Sequence, residues 1–167
     1  MATAESLRRL PRAEALALFA DLPAPALPSG EYAGHIPAYI EPAWRAFLAE
    51  ARIGHWLGKG YADGQGYNVY QAASGIVRRL RFAWSFGVSS LDGGPALLMH
   101  YAAFPNWAGQ QDLTDELREV APGLLLGIYH TRTVVPGFTP RAGNGRTEPE
   151  LFILSGPVDQ VHRPDRD

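Results

Sequence analysis

Ile76-Val77-Arg78-Arg79-Leu80-Arg81-Phe82-Ala83-Trp84-Ser85-Phe86, then Asp92-Gly93-Gly94, then Ala96-Leu97-Leu98-Met99-His100-Tyr101-Ala102-Ala103 is the stretch that decides the fold. The first run alternates, with Leu80, Phe82, Trp84 and Phe86 on one face of a strand and Arg79, Arg81 and Ser85 on the other. Asp92-Gly93-Gly94 supplies the positive-φ positions that a tight reversal needs, so the two runs are expected to pair as an antiparallel hairpin. In the second run Leu97, Met99 and Tyr101 oppose Ala96, Leu98, His100 and Ala102. Neither face is clearly polar, so both are expected to be covered and His100 to lie in apolar surroundings.

Outward from this hairpin the same pattern of short β-rich runs divided by glycine recurs at 56–61, 67–71, 124–135 and 150–154. That is an antiparallel meander rather than a βαβ chain. Helical signals are confined mainly to the N-terminal third. Leu7, Leu10, Leu16 and Phe19 recur at roughly helical spacing around Pro11, which predicts two short helical pieces over 4–21. Pro23, Pro25 and Pro28 make 22–29 an extended connector, and Pro42 suits the first turn of a helix over 42–52. Asp112-Leu113-Thr114-Asp115-Glu116-Leu117-Arg118 reads as a capped single-turn helix stopped at Pro122-Gly123, which would explain Asp112, Asp115, Glu116 and Glu119 through capping and dipole effects. The loop over 136–149 has the length of a lid, and 156–167 is expected to be a flexible tail behind a single domain of 1–155. Five or more antiparallel strands predict a mainly β fold, a strongly curved sheet or closed barrel with N-terminal helices, because closure removes exposed edges. Barrels of about eight strands have room inside for side chains or one small ligand.

Composition narrows the function. At 167 residues and 46% hydrophobic the chain can bury a core without disulfide or metal support. A net charge of -2 with interspersed signs gives no footprint for nucleic acid or an anionic membrane. The absence of Cys removes disulfides, thiolate nucleophiles and Cys-based zinc sites, and fits the cytoplasm. The apolar run 15–20 is too short for a signal segment or a membrane span.

Fourteen Arg accompany a single Lys, and that residue, Lys59, sits in Ile53-Gly54-His55-Trp56-Leu57-Gly58-Lys59-Gly60-Tyr61 among aromatic rings and glycines. An ammonium can anchor an anion, polarise a carbonyl or, once desolvated, act as a base or Schiff-base amine, whereas arginine does only the first well. The competing reading is a solvated strand-edge charge. His100 is either a buried neutral histidine or an acid–base group in a cavity. In Leu124-Leu125-Leu126-Gly127-Ile128-Tyr129-His130-Thr131-Arg132 one face ends on His130 and Arg132, which either close a cavity mouth or form a solvated strand end. No metal site is expected, since the five histidines lack HxH and HxxxH spacing. Gly58-Lys59-Gly60 is not a phosphate loop, and neither GxGxxG nor GxSxG occurs, which disfavours nucleotide use and serine hydrolysis.

Gly30-Glu31-Tyr32-Ala33-Gly34 and Trp56-Leu57-Gly58-Lys59-Gly60-Tyr61, followed by Ser90-Leu91-Asp92-Gly93-Gly94-Pro95-Ala96-Leu97 and the Asp-Glu-Leu-Arg and Leu-Leu-Leu-Gly segments within 113–127, together resemble the bacterial GXWXG-domain proteins and their associated uncharacterised lipocalin-like domain. The similarity spans most of 15–155, with Tyr32 standing where the family has Trp. It implies a lipocalin-like antiparallel β-barrel with an N-terminal helical cover and an apolar interior, and it carries over no catalytic residues. Similar barrels include phenolic acid decarboxylases and cofactor-independent cyclases, an analogy of fold only.

The resulting expectation is a cofactor-free enzyme that cyclises or isomerises a hydrophobic carbonyl-bearing small molecule in natural-product biosynthesis. Lys59, His100, Tyr101, His130 and Arg132 are the candidate catalytic residues, and Trp56, Tyr61, Tyr67, Phe82, Trp84 and Met99 the candidate ligand-binding ones. The alternatives are a non-catalytic carrier of a lipid or polyketide-like ligand and an interaction module using an exposed Trp107 and the Pro-rich connector. The expected partner is the small molecule, with homodimerisation left open.

Overall fold

Among the described residues two short helices, α1 (Ala4–Arg8) and α2 (Arg12–Asp21), precede eight strands: β1 (Gly30–His35), β2 (His55–Ala62), β3 (Gln65–Ala72), β4 (Gly75–Val88), β5 (Pro95–His100), β6 (Thr114–Ala121), β7 (Leu124–His130) and β8 (Glu150–Asp159). The structure is a computed structural model and describes residues 2–26, 28–43, 45, 54–106, 113–130 and 148–165. Each strand pairs antiparallel with its neighbour in sequence, and β8 returns to β1, which closes the barrel. The Asp92-Gly93-Gly94 reversal joins β4 to β5 as the expected antiparallel hairpin, with Phe86 opposite Leu97 and Trp84 opposite Met99. The expected helix over 42–52 and loop over 136–149 lie for the most part outside the described residues.

Alternation sorts two hydrophobic sets. Tyr61, Phe82, Leu97, Met99, Tyr101, Leu117, Leu125, Phe152 and Leu154 pack together inside the barrel. On the outer wall Leu124, Leu126, Ile128, Leu151 and Ile153 form a second apolar surface, against which Leu7, Ala15 and Phe19 of the helices pack. Both faces of β7, and of β8 from Glu150 to Leu154, are therefore covered, which is why these runs read as near-continuously apolar. The capping box at Thr3, whose side chain accepts from Ser6 N at 3.1 Å while Ser6 Oγ accepts from Thr3 N at 2.9 Å, starts α1.

Arg118 fastens α2 to the barrel. Its side chain is 1% exposed and donates to the Phe19 and Ala20 carbonyls at 2.8 and 2.7 Å, to the Pro95 carbonyl at 3.1 Å and to both Asp92 oxygens at 2.7 Å. The two carbonyls belong to the last turn of α2, where acceptor capacity is left over beside the capping bond from the Leu22 amide to Phe19 and a cation is favoured.

Two expectations are corrected. Residues 114–118 form strand, not a capped helix: Glu116 stands opposite Leu98 of β5 and Ile128 of β7, and the backbone bonds of this run go to those strands. Residues 156–165 are also held against the barrel, in place of the free tail expected from 156. β8 continues to Asp159, and beyond it the His162 amide donates to Tyr67 OH at 2.8 Å and the Asp165 amide to the Arg78 carbonyl at 2.8 Å. Among the described residues no helix is long and apolar enough to cross a membrane.

Candidate functional site

Trp56 and Lys59 lie three apart in β2, so plain alternation would send them to opposite faces. A bulge between Trp56 and Gly58 shifts the phase and brings both inward, Trp56 opposite Tyr70 and Lys59 opposite Asn68. Gly58 makes this feasible. It holds φ at +146°, and a Cβ there would run into the Tyr32 carbonyl. A second bulge in β4, with Leu80 at φ +56°, adjusts that strand so that Phe82 faces inward opposite Gly66.

These displacements build a polar cluster inside an apolar barrel. Lys59 Nζ donates to Asn68 Oδ1 at 2.8 Å and to Tyr101 OH at 2.7 Å, and it lies 2.7 Å from Asp115 Oδ2. Tyr101 OH donates to the same Asp115 oxygen at 2.9 Å and accepts from Asn68 Nδ2 at 2.9 Å. Asn68 Oδ1 also accepts from Trp56 Nε1 at 3.1 Å, and its Nδ2 donates to the Leu80 carbonyl at 3.2 Å. Because Lys59 and Trp56 can only donate, the amide of Asn68 has one workable orientation. Lys59, Asp115 and Tyr101 are 3%, 2% and 1% exposed, so the pair is held out of water. The rings of Phe152, Phe82, Tyr101 and Trp56 stand 5.2, 5.3, 5.4 and 5.8 Å from Nζ, a distance at which their faces attract a cation.

Counting protons locates the open point. The three N–H bonds of a charged Lys59, the hydroxyl of Tyr101 and both N–H bonds of Asn68 are each directed at an acceptor. Within this network one atom is left over: Asp115 Oδ1 is buried and accepts no hydrogen bond. Burial lowers the proton affinity of Lys59, and the charge and hydrogen bond of Asp115 oppose that shift. Burial and then the Asp115 charge raise the Tyr101 and Tyr61 hydroxyls well above the ordinary phenol value.

The residues expected from sequence divide clearly. Lys59, Tyr101, Trp56, Tyr61, Phe82 and Met99 converge inside the barrel, with Tyr61 OH directed at Met99 Sδ at 3.4 Å. Trp84 packs against that set, half-buried, while Phe86 beyond it is 51% exposed. His100 is corrected. It occupies the outward face of β5 and is exposed, because Met99 and Tyr101 take the inward positions. Tyr67 is corrected likewise. Asn68 and Tyr70 point inward, so Tyr67 lies on the outer face, where its hydroxyl donates to Glu31 Oε1 at 2.8 Å. His130 is also on the outer face, buried, and is not at the interior cluster. Its Nε2 is 3.2 Å from Glu116 Oε1 and 3.1 Å from Ser90 Oγ. One nitrogen thus meets both partners, whereas a serine-nucleophile relay needs the acid on the other side of the ring. Arg132 lies outside the described residues. Asp115 and Asn68 are members of the interior cluster that sequence reading did not single out as site residues.

Among the described residues Glu31, Asp159 and His162 bring potential ligand atoms within 4.8 Å of one another. Glu31 Oε1 already accepts from Arg78 Nε at 2.6 Å, so a metal ion there would face a guanidinium on one of its ligands.

No family model matches this chain, and no curated protein does. Among solved structures the chain is similar to a crystal structure of a protein from Thermomonospora curvata, at 18% identity and a TM-score of 0.59, with 90% of each chain covered. At that identity the likeness establishes the fold alone, a barrel shared over nearly the whole length of both chains.

Proposed function

We propose that the barrel interior is the reaction chamber of a cofactor-independent enzyme that isomerises or cyclises a hydrophobic, carbonyl-bearing small molecule, with Asp115 as base and Lys59 and Tyr101 as the groups that receive the negative charge. The observation that carries this reading is the Asp115 carboxylate, gripped at Oδ2 by Lys59 and Tyr101 and without a hydrogen bond at its buried Oδ1, among aromatic rings.

In an isomerisation, Oδ1 takes a proton from carbon next to the carbonyl. The C–H electron pair becomes a carbon–carbon π bond as the carbonyl π pair moves onto oxygen, which gives an enolate conjugated with a neighbouring C=C of the substrate, and Asp115 becomes neutral. Lys59 and Tyr101 are then less tightly drawn to Oδ2 and can turn one hydrogen bond each to the enolate oxygen. Return of the same proton to the far carbon of that C=C shifts the π pairs back and restores the carbonyl, which completes the isomer with no net gain or loss of electrons. Proton transfer of this kind contributes about 10²–10⁴-fold, and donors aimed at developing charge in a dry site add to it. A carrier lined with aromatic rings has no need of a buried ion pair, whose desolvation costs several kcal/mol per ion.

The test uses extracts of the source organism with the gene deleted, incubated with purified wild-type, Lys59→Met and Asp115→Asn proteins and analysed by mass spectrometry. The expected result is a compound converted to another of equal mass by the wild type and by neither variant. A compound that co-purifies unchanged with all three proteins would overturn catalysis in favour of the carrier reading.

A further inference from the structure

The Lys59–Asp115 pair is sealed from water, so its N–H protons can exchange with solvent only through the barrel wall, and that wall holds a row of neighbouring titratable side chains leading away from the pair. Asp115 of β6 stands opposite Tyr129 of β7, and Tyr129 stands opposite Glu150 of β8. All three fall on the inward face by alternation, in phase with Leu117, Leu125 and Phe152 of the interior set. Directly opposed residues on one face have Cβ atoms about 4.5–5.5 Å apart, close enough for their side chains to interact. Glu150 is 8% exposed and accepts from Tyr39 OH at 3.1 Å, and Tyr39 is 42% exposed. Arg12 Nε lies 3.5 Å from the other Glu150 oxygen.

We propose that Tyr129 and Glu150 form a proton-exchange path that connects the buried Lys59–Asp115 pair to the surface beside Tyr39. The electrostatics agree with this placement. Burial first, and then the charges of Glu150 and Asp115, raise Tyr129, so both carboxylates act on the same hydroxyl. Burial raises Glu150 above the ordinary carboxylate value, which brings its protonated form nearer to neutral pH. The inference does not depend on the reaction proposed above.

A single lysine makes the test direct, because labelling with 15N-lysine leaves one side-chain Nζ resonance. Exchange of the Lys59 N–H protons with water is measured by NMR in the wild type, in Glu150→Gln, in Tyr129→Phe and in Tyr70→Phe, the last altering an inward tyrosine off the path. Glu150→Gln and Tyr129→Phe are each expected to slow exchange on the order of tenfold or more, while Tyr70→Phe leaves it unchanged. A merely structural role would loosen the wall and speed exchange instead. Unchanged or faster exchange in both path variants overturns the proposal.

Discussion

Two buried cations serve different ends in this molecule. Arg118, at the seam between α2 and the barrel, is held by three backbone carbonyls and by the Asp92 carboxylate, with the Phe19 ring 4.7 Å from its guanidinium carbon. Lys59, inside the barrel, is held entirely by side chains, two of which titrate. A guanidinium keeps its charge at any accessible pH and presents a rigid fork, which suits a permanent clamp on carbonyls. An ammonium is a point charge whose proton affinity responds to burial. In a chain with fourteen arginines and one lysine, the lysine occupies the place where the charge can change and an arginine the place where it must not.

The comparison breaks most sharply at Asp115. Asp115→Leu leaves the Lys59 ammonium buried beside aromatic rings without a counter-charge, and about 3–5 kcal/mol of stability should be lost. Lys59→Met combined with Asp115→Leu removes both charges and fills their space with apolar groups, so most of that loss should return in denaturant unfolding. A double variant as unstable as the single one would mean that the pair is worth more than an apolar core. For Arg118→Met the expected loss is smaller, about 2–3 kcal/mol, the scale of charged hydrogen bonds given up by partially exposed and backbone partners. Hydrogen exchange should locate it, with amides of α2 losing protection while β2 and β3 keep theirs. Uniform loss of protection would show that Arg118 supports the barrel and not the helix.

The inner cluster was only half legible because its two halves obey different rules. Trp56, Phe82, Met99 and Tyr101 announce themselves by size and apolar alternation. Asp115 is hidden by Asp115-Glu116-Leu117-Arg118, where charge occupies both faces of β6 and erases the period of two; acidic residues ahead of Leu117 then read as helix capping. Its outward neighbours are charged because each has a buried partner there, Glu116 with Ser90 and His130 and Arg118 with α2. Asn68 is hidden by the opposite habit. Between Tyr67 and Val69 an amide looks like the solvent-facing residue, yet here it is the hub of the interior and Tyr67 lies outside. The bulges at Trp56 and Leu80 defeat face assignment altogether, since a shift of one residue exchanges inside for outside. Closure of the barrel, by contrast, follows from next-neighbour hairpins that turn residues such as Asp92-Gly93-Gly94 mark openly.

The smallest effect separates the two cations by titration. Burial holds Lys59 below the ordinary lysine value of 10.5, so between its folded value and 10.5 the unfolded chain binds more protons than the folded one. Stability therefore rises with pH across that window. The buried tyrosines act in the opposite sense. With folded values raised above 10.0, Tyr61 and Tyr101 contribute stability that is complete below the ordinary phenol value and is lost as pH climbs toward their folded values. Unfolding of the wild type measured at increasing alkaline pH should thus show stability climbing until tyrosine ionisation in the unfolded chain turns it downward. Lys59→Met should show the downturn without the climb. Arg118→Met, less stable throughout, should keep the wild-type shape, because a guanidinium does not titrate in this range. A climb that survives in Lys59→Met would assign it to another group and remove Lys59 from the titrating core.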